Sequence, residues 1–239
     1  LTTTDAGAST GGSGDDTFIA LDNALTNYAV DGKGGTDKLT ATLSGTADSF
    51  SVTNVENLTF KVASTSTVDM KDFTGESTVA VSGSSNTTLN NNAAGVTFTS
   101  SITGTGTLDI ALQDSSGSTD SVSLTLDGAT STGLTTIDSV ETISVTSKSD
   151  SDSVSLDGNA VATLNIDGSG DATFVLPVGA SLTTINAASA TGDLTIGITA
   201  NDVAFTGGSG DDGITMSSSS LDEDDTIDGG AGADTLTLT

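Results

Sequence analysis

A nine-residue pattern occurs three times in this chain and strongly limits what the chain can fold into. The pattern is G-G-x-G-x-D-x-U-x, where U is a large apolar residue, and its copies cover residues 11–19, 207–215 and 229–237. Glycines reach backbone angles that are closed to other residues, so each copy predicts a tight turn. The apolar residue after the turn is placed to enter a core from a strand. A turn and a short strand that recur in this way predict a parallel β-roll, in which successive coils stack.

A looser fourth copy covers residues 32–39, with Lys33 at a glycine position. The four copies form two similarly spaced pairs. One pair opens at Gly11 and Gly32, and the other opens at Gly207 and Gly229. Loops on one edge of a β-roll recur after one full coil, which takes about 18 residues, and both spacings are only slightly longer. The two turns of each pair are therefore predicted to stack directly on each other.

The paired turns indicate a metal site. The pattern fixes one aspartate in each turn, and the backbone carbonyl oxygens of the turn face the same region. Ligation by oxygen alone suits calcium, which accepts six to eight oxygen ligands. One turn rich in Gly and Asp is also compatible with an ordinary β-turn, but two similarly spaced pairs favour metal binding. We expect several Ca²⁺ ions, with ligands from Gly11, Ser13, Asp16, Asp31, Gly34, Asp37, Gly207, Ser209, Asp212, Gly229, Ala231 and Asp234.

The charge of the chain agrees with bound cations. Acidic residues number 32 and are mostly Asp, against five Lys and no Arg, and the net charge is −27. Self-repulsion of this size opposes a compact fold, and divalent cations would neutralise it. The same charge excludes nucleic acid as a partner, because almost nothing is present to neutralise phosphates. No apolar run is long enough for a membrane span, so no membrane insertion is expected.

The absence of histidine excludes two classes of secreted enzyme. A zinc protease needs the pattern H-E-x-x-H, and a lipase triad needs a histidine. Acidic pairs such as Asp15 with Asp16 imitate the two carboxylates of a glycosidase, but they lie inside the predicted turns. We therefore expect no enzymatic activity.

The rest of the chain consists of short strand-like runs. They are rich in Val, Ile, Leu or Thr, and no window has a helical apolar period. From residue 160 onward the runs recur about every ten residues, which favours a solenoid. Residues 41–160 are less regular, and a solenoid and an irregular or sandwich-like sheet both remain open there. The predicted all-β chain has a calcium-binding pair in residues 1–40, a β-rich region in 41–160, and a solenoid with the second pair in 161–239.

A shorter repeat relates residues 55–60 to residues 140–145, both of the form V-E-x-[LI]-x-[FV]. It places Glu56 and Glu141 at the start of a strand. Such a glutamate is either a solvent-exposed carboxylate at the strand edge or an additional participant in calcium binding. The sequence alone leaves both roles open.

Together, these features resemble the calcium-binding, RTX-containing surface-layer (S-layer) proteins of Gram-negative bacteria. The resemblance is specific at the four turns, while residues 140–145 and 182–192 are similar in style. It implies a segment of a longer chain that is exported by type I secretion and folds outside the cell, in millimolar calcium. It also implies a structural role at the cell surface, where copies self-associate into a calcium-dependent lattice. Cell-surface polysaccharide is a further expected partner, through other regions.

The alternative is a calcium-stiffened stalk segment of a large secreted RTX adhesin. Adhesin stalks repeat near-identical domains, and this chain contains no such repeat. The surface layer is the first expectation, and the sequence leaves the adhesin stalk open as the alternative.

Overall fold

The structure is a computed structural model that describes residues 7–21, 27–47, 50–176, 181–200 and 202–239. The predicted first region is thus described without residues 1–6 and 22–26. All regular secondary structure in the described ranges is β-strand. The strands, in chain order, are β1 (Gly7–Thr10), β2 (Thr17–Ala20), β3 (Tyr28–Asp31), β4 (Lys38–Ala47), β5 (Ser51–Thr53), β6 (Asn57–Asp69), β7 (Phe73–Thr74), β8 (Thr78–Gly83), β9 (Thr87–Asn92), β10 (Thr97–Gly104), β11 (Leu108–Leu112), β12 (Ser121–Leu126), β13 (Thr130–Thr136), β14 (Thr142–Ser147), β15 (Asp152–Asp157), β16 (Thr163–Gly168), β17 (Ala172–Leu176), β18 (Thr184–Ala190), β19 (Leu194–Ile198), β20 (Ala204–Thr206), β21 (Gly213–Met216), β22 (Thr226–Asp228) and β23 (Thr235–Leu238).

The strands pair in parallel, and each pairing joins one coil to another coil of the stack. Strands β1, β3, β5 and β7 form a four-stranded sheet, and the other 19 strands form one hydrogen-bonded system. Two faces can be followed through that system. The even-numbered strands pair in series from β2 to β22, and the odd-numbered strands pair in series from β9 to β23. The result is a β-solenoid of about ten coils, which confirms the predicted all-β parallel solenoid.

Side-chain alternation explains why these sequences form solenoid coils. In β14, for example, every second side chain is buried, as expected of a strand with one face on the core. Equivalent core positions of successive coils stack, as Leu39, Leu58 and Val79 do on the even-numbered face. Each of these three side chains is at most 1 % exposed. Complete burial of such a side chain stabilises the fold by about 1.5–3 kcal/mol.

Residues 41–160 belong to the same solenoid, which settles the alternative that the sequence left open. Apart from β5 and β7, which belong to the four-stranded sheet, their strands belong to the two series of parallel pairs described above. The length of a coil varies: the coil from Leu39 to its stacked partner Leu58 is short, whereas the coil from Phe98 to its partner Leu124 is much longer. The longer coil places its additional residues in the loop 113–120, between β11 and β12.

The two pairs of patterned turns lie at different edges of the solenoid. The turns of the first pair precede the even-numbered strands β2 and β4, whereas those of the second pair follow the even-numbered strands β20 and β22. We call the edge that precedes the even-numbered strands the leading edge, and the edge that follows them the trailing edge. In the described ranges no helix has the length and apolar character of a membrane span.

Candidate metal centres

The position-six aspartates fold back toward the glycines that open their turns. Asp16 Oδ2 accepts the N–H of Gly12 at 2.6 Å, and Asp212 Oδ2 accepts the N–H of Gly208 at 3.0 Å. A short aspartate side chain makes such local bonds to the backbone readily. The bond fixes where the carboxylate points, so the aspartate and the glycines act as one unit in these two turns.

The turns of each pair stack as predicted, and a carboxylate links them. Asp37 Oδ1 accepts the N–H of Asp16 at 2.7 Å. In the second pair, Asp234 Oδ1 accepts the N–H of Asp212 at 2.9 Å. The structure therefore brings together the position-six aspartates within each pair, at the leading edge for one and at the trailing edge for the other.

The first glycine of a turn lies between a carboxylate and a carbonyl group of the next coil. A Cβ atom added at Gly207 would lie 2.0 Å from the Gly229 carbonyl oxygen and 2.7 Å from Asp212 Oδ2. At Gly11 the corresponding two oxygens would both lie at 2.5 Å. Glycine is thus required by the close approach of these oxygens. Each pair of turns gathers carboxylate and carbonyl oxygens from two coils around one point.

The buried carboxylates have no cationic partner in the described part of the chain. Asp37 is fully buried, and its Oδ2 accepts no hydrogen bond. Burial raises the pKa of Asp212, and the negative charges of Asp234 and Asp193 raise it further. The ion pairs among the described residues join Lys33 to Asp31 and Lys71 to Asp69 and Asp72. An oxygen-only set of this kind fits a calcium ion, which would supply positive charge and link two coils.

Asp31 and Lys33 contact each other at the looser turn. Lys33 Nζ lies 2.7 Å from Asp31 Oδ2, and the Asn54 side chain donates to Asp31 Oδ1 at 2.8 Å. These bonds, with that to Lys33 the strongest, lower the pKa of Asp31 to about 2. Lys33 has a φ of 73°, in the same left-handed region as Gly230 at 90°. The lysine therefore keeps the backbone path of the turn, and both oxygens of Asp31 are engaged by its neighbours.

The residues predicted to offer carbonyl ligands lie where the stacked turns touch. Gly34 donates its N–H to the Gly12 carbonyl at 3.2 Å, and Ala231 donates to the Gly208 carbonyl at 2.9 Å. Ser209 donates to the Ala190 carbonyl of the preceding coil at 3.0 Å. Their role as carbonyl ligands stays a prediction, as does that of Ser13 and Gly229.

Glu56 and Glu141 belong to the leading edge and are half-buried rather than fully solvated. Glu56 Oε2 accepts the N–H of Asp37 at 2.7 Å, and Glu141 Oε2 accepts the N–H of Asp120 at 2.9 Å. The Glu56 carboxylate thus accepts the N–H of Asp37 in the same way as the Asp37 carboxylate accepts the N–H of Asp16. The V-E repeat was the signal for these residues. Their partners, 19 and 21 residues earlier, could not be read from the repeat itself.

A further acidic column on the trailing edge escaped the sequence pattern. Asp171 Oδ1 accepts the N–H of Asp193 at 2.9 Å, and Asp193 Oδ1 accepts the N–H of Asp211 at 2.8 Å. Asp211 Oδ1 in turn accepts the N–H of Ala233 at 2.8 Å. Two coils without the pattern therefore lead into the second pair, and the charge of Asp193 acts on Asp212 although it lies outside any patterned turn.

A third acidic group is exposed. Asp202, Asp222 and Asp224 each offer a carboxylate oxygen within 4.8 Å of the others, in the loops that precede β20 and β22. Asp222 Oδ1 accepts the N–H of Asp224 at 2.9 Å. Because these carboxylates are exposed, water solvates their charges, and the group is part of the acidic surface.

Glu76 carries a buried oxygen that a change of pH should reveal. Its Oε1 accepts no hydrogen bond, and burial raises its pKa above the ordinary value of 4.5. A raised folded-state pKa favours the folded protein below about 4.5 and loses that contribution as the pH rises through the folded value. In chelator, Glu76→Gln should therefore melt at a higher temperature than the native chain at pH 7, and the difference should shrink at pH 4.

The matched control is Glu223→Gln, which removes the same charge from an exposed side chain. Thermal melts of both variants at the two pH values separate local burial from net charge. Equal shifts in the two variants would show that the burial of Glu76 does not matter.

Comparison with models of known protein families, with curated proteins and with solved structures finds no match to this chain.

Proposed function

We propose that this chain is a structural cell-surface segment that binds calcium and self-assembles into a bacterial surface layer. The observation that carries the proposal is the stacking of the patterned turns in two pairs, with buried carboxylates that lack a cationic partner in the described ranges. Calcium between the turns would neutralise these charges and lock adjacent coils together. The chain is, on this proposal, a scaffold and not an enzyme.

A solenoid supports repeated lateral contact. Each coil contacts its neighbours along the stack, so long faces of backbone-ordered strands remain exposed. Here the outward side chains are mostly Ser, Thr, Asn and Asp, and the large apolar side chains exposed in the described part are few: Ile19, Leu21, Val175, Leu236 and Leu238. Such faces do not associate through a large hydrophobic patch. Cation bridging between acidic surfaces is the association that this composition favours.

Calcium dependence also fits a location outside the cell. Extracellular calcium modules bind calcium with dissociation constants of roughly 10⁻⁴–10⁻³ M. The millimolar calcium outside a cell is enough to fill such sites. We propose that the chain is secreted by the type I route to the surface of a Gram-negative bacterium, where it folds on meeting calcium. We propose that other regions of the protein bind cell-surface polysaccharide.

Association is tested by light scattering. The protein should be monomeric in chelator, because the net charge of −27 makes its copies repel, and it should associate when millimolar calcium is added. Sodium chloride of equal ionic strength should have a much smaller effect, because screening weakens repulsion without ligating carboxylates. Electron microscopy of the calcium sample should show ordered sheets.

A monomer at every calcium concentration would overturn the lattice proposal for this segment. If calcium still raised the melting temperature in that case, the protein would be a calcium-stiffened stalk segment of an adhesin. Association that followed ionic strength alone would contradict cation bridging.

A further inference from the structure

We propose that Asp37, Asn54 and Glu56 form a calcium site between the second patterned turn and the coil that follows it, which lacks the pattern. The inference rests on the calcium binding proposed above. It adds two ligand residues, Asn54 and Glu56, that lie outside the nine-residue pattern. It also extends the calcium-linked stack by one coil.

The Asp37 carboxylate is the first support for this site. Its side chain is fully buried. Oδ1 is used by the N–H of Asp16, whereas Oδ2 is buried without a hydrogen-bond partner. Asp152 is a useful contrast, because it is equally buried and its carboxylate accepts bonds from Ala129, Ser147 and Ser149. A buried carboxylate oxygen without a donor is costly, and a cation is the partner that would satisfy it.

The carbonyl group of Asn54 lies beside that oxygen. A Cβ atom added at Gly32 would lie 1.9 Å from the Asn54 carbonyl oxygen and 2.3 Å from Asp37 Oδ2. The two distances together place these oxygens no more than about 4.2 Å apart. Calcium–oxygen distances are about 2.3–2.6 Å, so one ion can contact both oxygens. The third coil therefore presents a carbonyl group to Asp37 as the second coil presents one to Asp16.

The local structure around Asn54 holds this carbonyl group in place. Asn54 has a φ of 53°, a left-handed angle that asparagine tolerates. Its backbone N–H donates to Thr74 at 2.8 Å, and its side chain donates to Asp31 at 2.8 Å. The turn is thus fixed to the coils on both sides, and a single asparagine does here what glycines do in the patterned turns.

Glu56 brings a second carboxylate to Asp37 from the next coil. Its Oε2 accepts the N–H of Asp37 at 2.7 Å. Asp16, Asp37 and Glu56 therefore follow one another along the leading edge, in three successive coils. Among the described residues no lysine is within ion-pair distance of this column. Two carboxylates and one carbonyl group form an oxygen-only set, and water can complete a calcium shell of six to eight ligands.

The test is the number of calcium ions bound by the full chain, measured by calorimetry and by equilibrium dialysis at millimolar calcium. Glu56→Gln keeps an acceptor for the Asp37 N–H but removes the charge, and it should lower the number of bound ions by one. Asp37→Asn should remove the same ion. In chelator, the melting temperature of Glu56→Gln should not fall below that of the native chain, because loss of the charge relieves repulsion between like charges. That result excludes unfolding as the cause of the lost ion.

The matched control is Glu141→Gln, which changes the same V-E motif and the same kind of bond to an aspartate N–H. Near Glu141, Asp120 is only half-buried and has no buried oxygen that lacks a hydrogen-bond partner. The feature that marks the Asp37 site is therefore missing there, and the native ion count should be kept. An unchanged ion count in Glu56→Gln would overturn the proposed site while leaving the other calcium sites standing. An equal loss in Glu141→Gln would overturn it too. A native chain that binds no calcium would instead sink the proposed function itself.

Discussion

Millimolar calcium should raise the melting temperature of this protein well above its value in EDTA. Without calcium the folded chain holds Asp16, Asp37 and Glu56 in one column, and Asp212 beside Asp234. A ligand that binds the folded state alone adds about 2.7 kcal/mol per site at a hundred times its dissociation constant. For a chain of this size that corresponds to a shift of roughly 5–10 °C for each saturated site.

Two controls separate ligation from screening. Sodium chloride of equal ionic strength should shift the melt less, because the Asp37 and Asp212 carboxylates are buried and poorly reached by screening ions. Magnesium should also be weaker, since it demands near-ideal octahedral geometry and gives up its water reluctantly. Equal melting temperatures in EDTA and in calcium would refute calcium binding as the organising feature of the fold.

Replacement of Asp212 should have opposite effects with and without calcium. Its folded-state pKa is raised, first by burial, so its contribution to stability is present below its ordinary pKa and lost as the pH rises through the folded value. Ionised Asp212 therefore destabilises the calcium-free protein at pH 7, and Asp212→Asn should melt at a higher temperature than the native chain in EDTA. In calcium the order should reverse, because the variant lacks the one side-chain ligand that the pattern fixes in its turn.

The measurement combines thermal melts with calorimetric ion counts. Asp212→Asn should bind fewer calcium ions, and its calcium-induced shift should fall by roughly 5–10 °C, the value of one site. Asp150→Asn is the control, because Asp150 is exposed and outside the patterned turns. Asp193 is unsuitable for this purpose, since its charge acts on Asp212. The same ion count and the same reversal in both variants would count against Asp212 as a ligand.

The nine-residue pattern predicted the turns because each position has a local reason. The first glycine makes room for converging oxygens, and the aspartate bonds to a glycine N–H four residues earlier. The pairing of turns followed from spacings near one coil. The bond between aspartate and glycine is short in sequence and the spacing of the turns is regular, so the order of residues is enough to reveal both. Strand alternation was equally local, which is why the all-β class was predictable.

Contacts between coils were visible only where the pattern repeated. Glu56 reaches Asp37 across 19 residues and Glu141 reaches Asp120 across 21, and neither spacing is marked by a common motif at both ends. The buried oxygen of Asp37 could not be foreseen, because burial depends on which coil lies next to it. The same is true of the placement of the two pairs on different edges of the solenoid.

Residues 41–160 show most clearly what the tertiary structure decided. Their strands were recognisable, but coils of such unequal length have no fixed period that would distinguish a solenoid from a sandwich. Pairing depends on the register between successive strands, and loops of different length keep that register while hiding it from the sequence. The sequence thus determined the strands, the patterned turns and the excess of negative charge. Only the packing of coil on coil decided which carboxylates are buried together, because that neighbourhood joins residues a full coil apart in the chain.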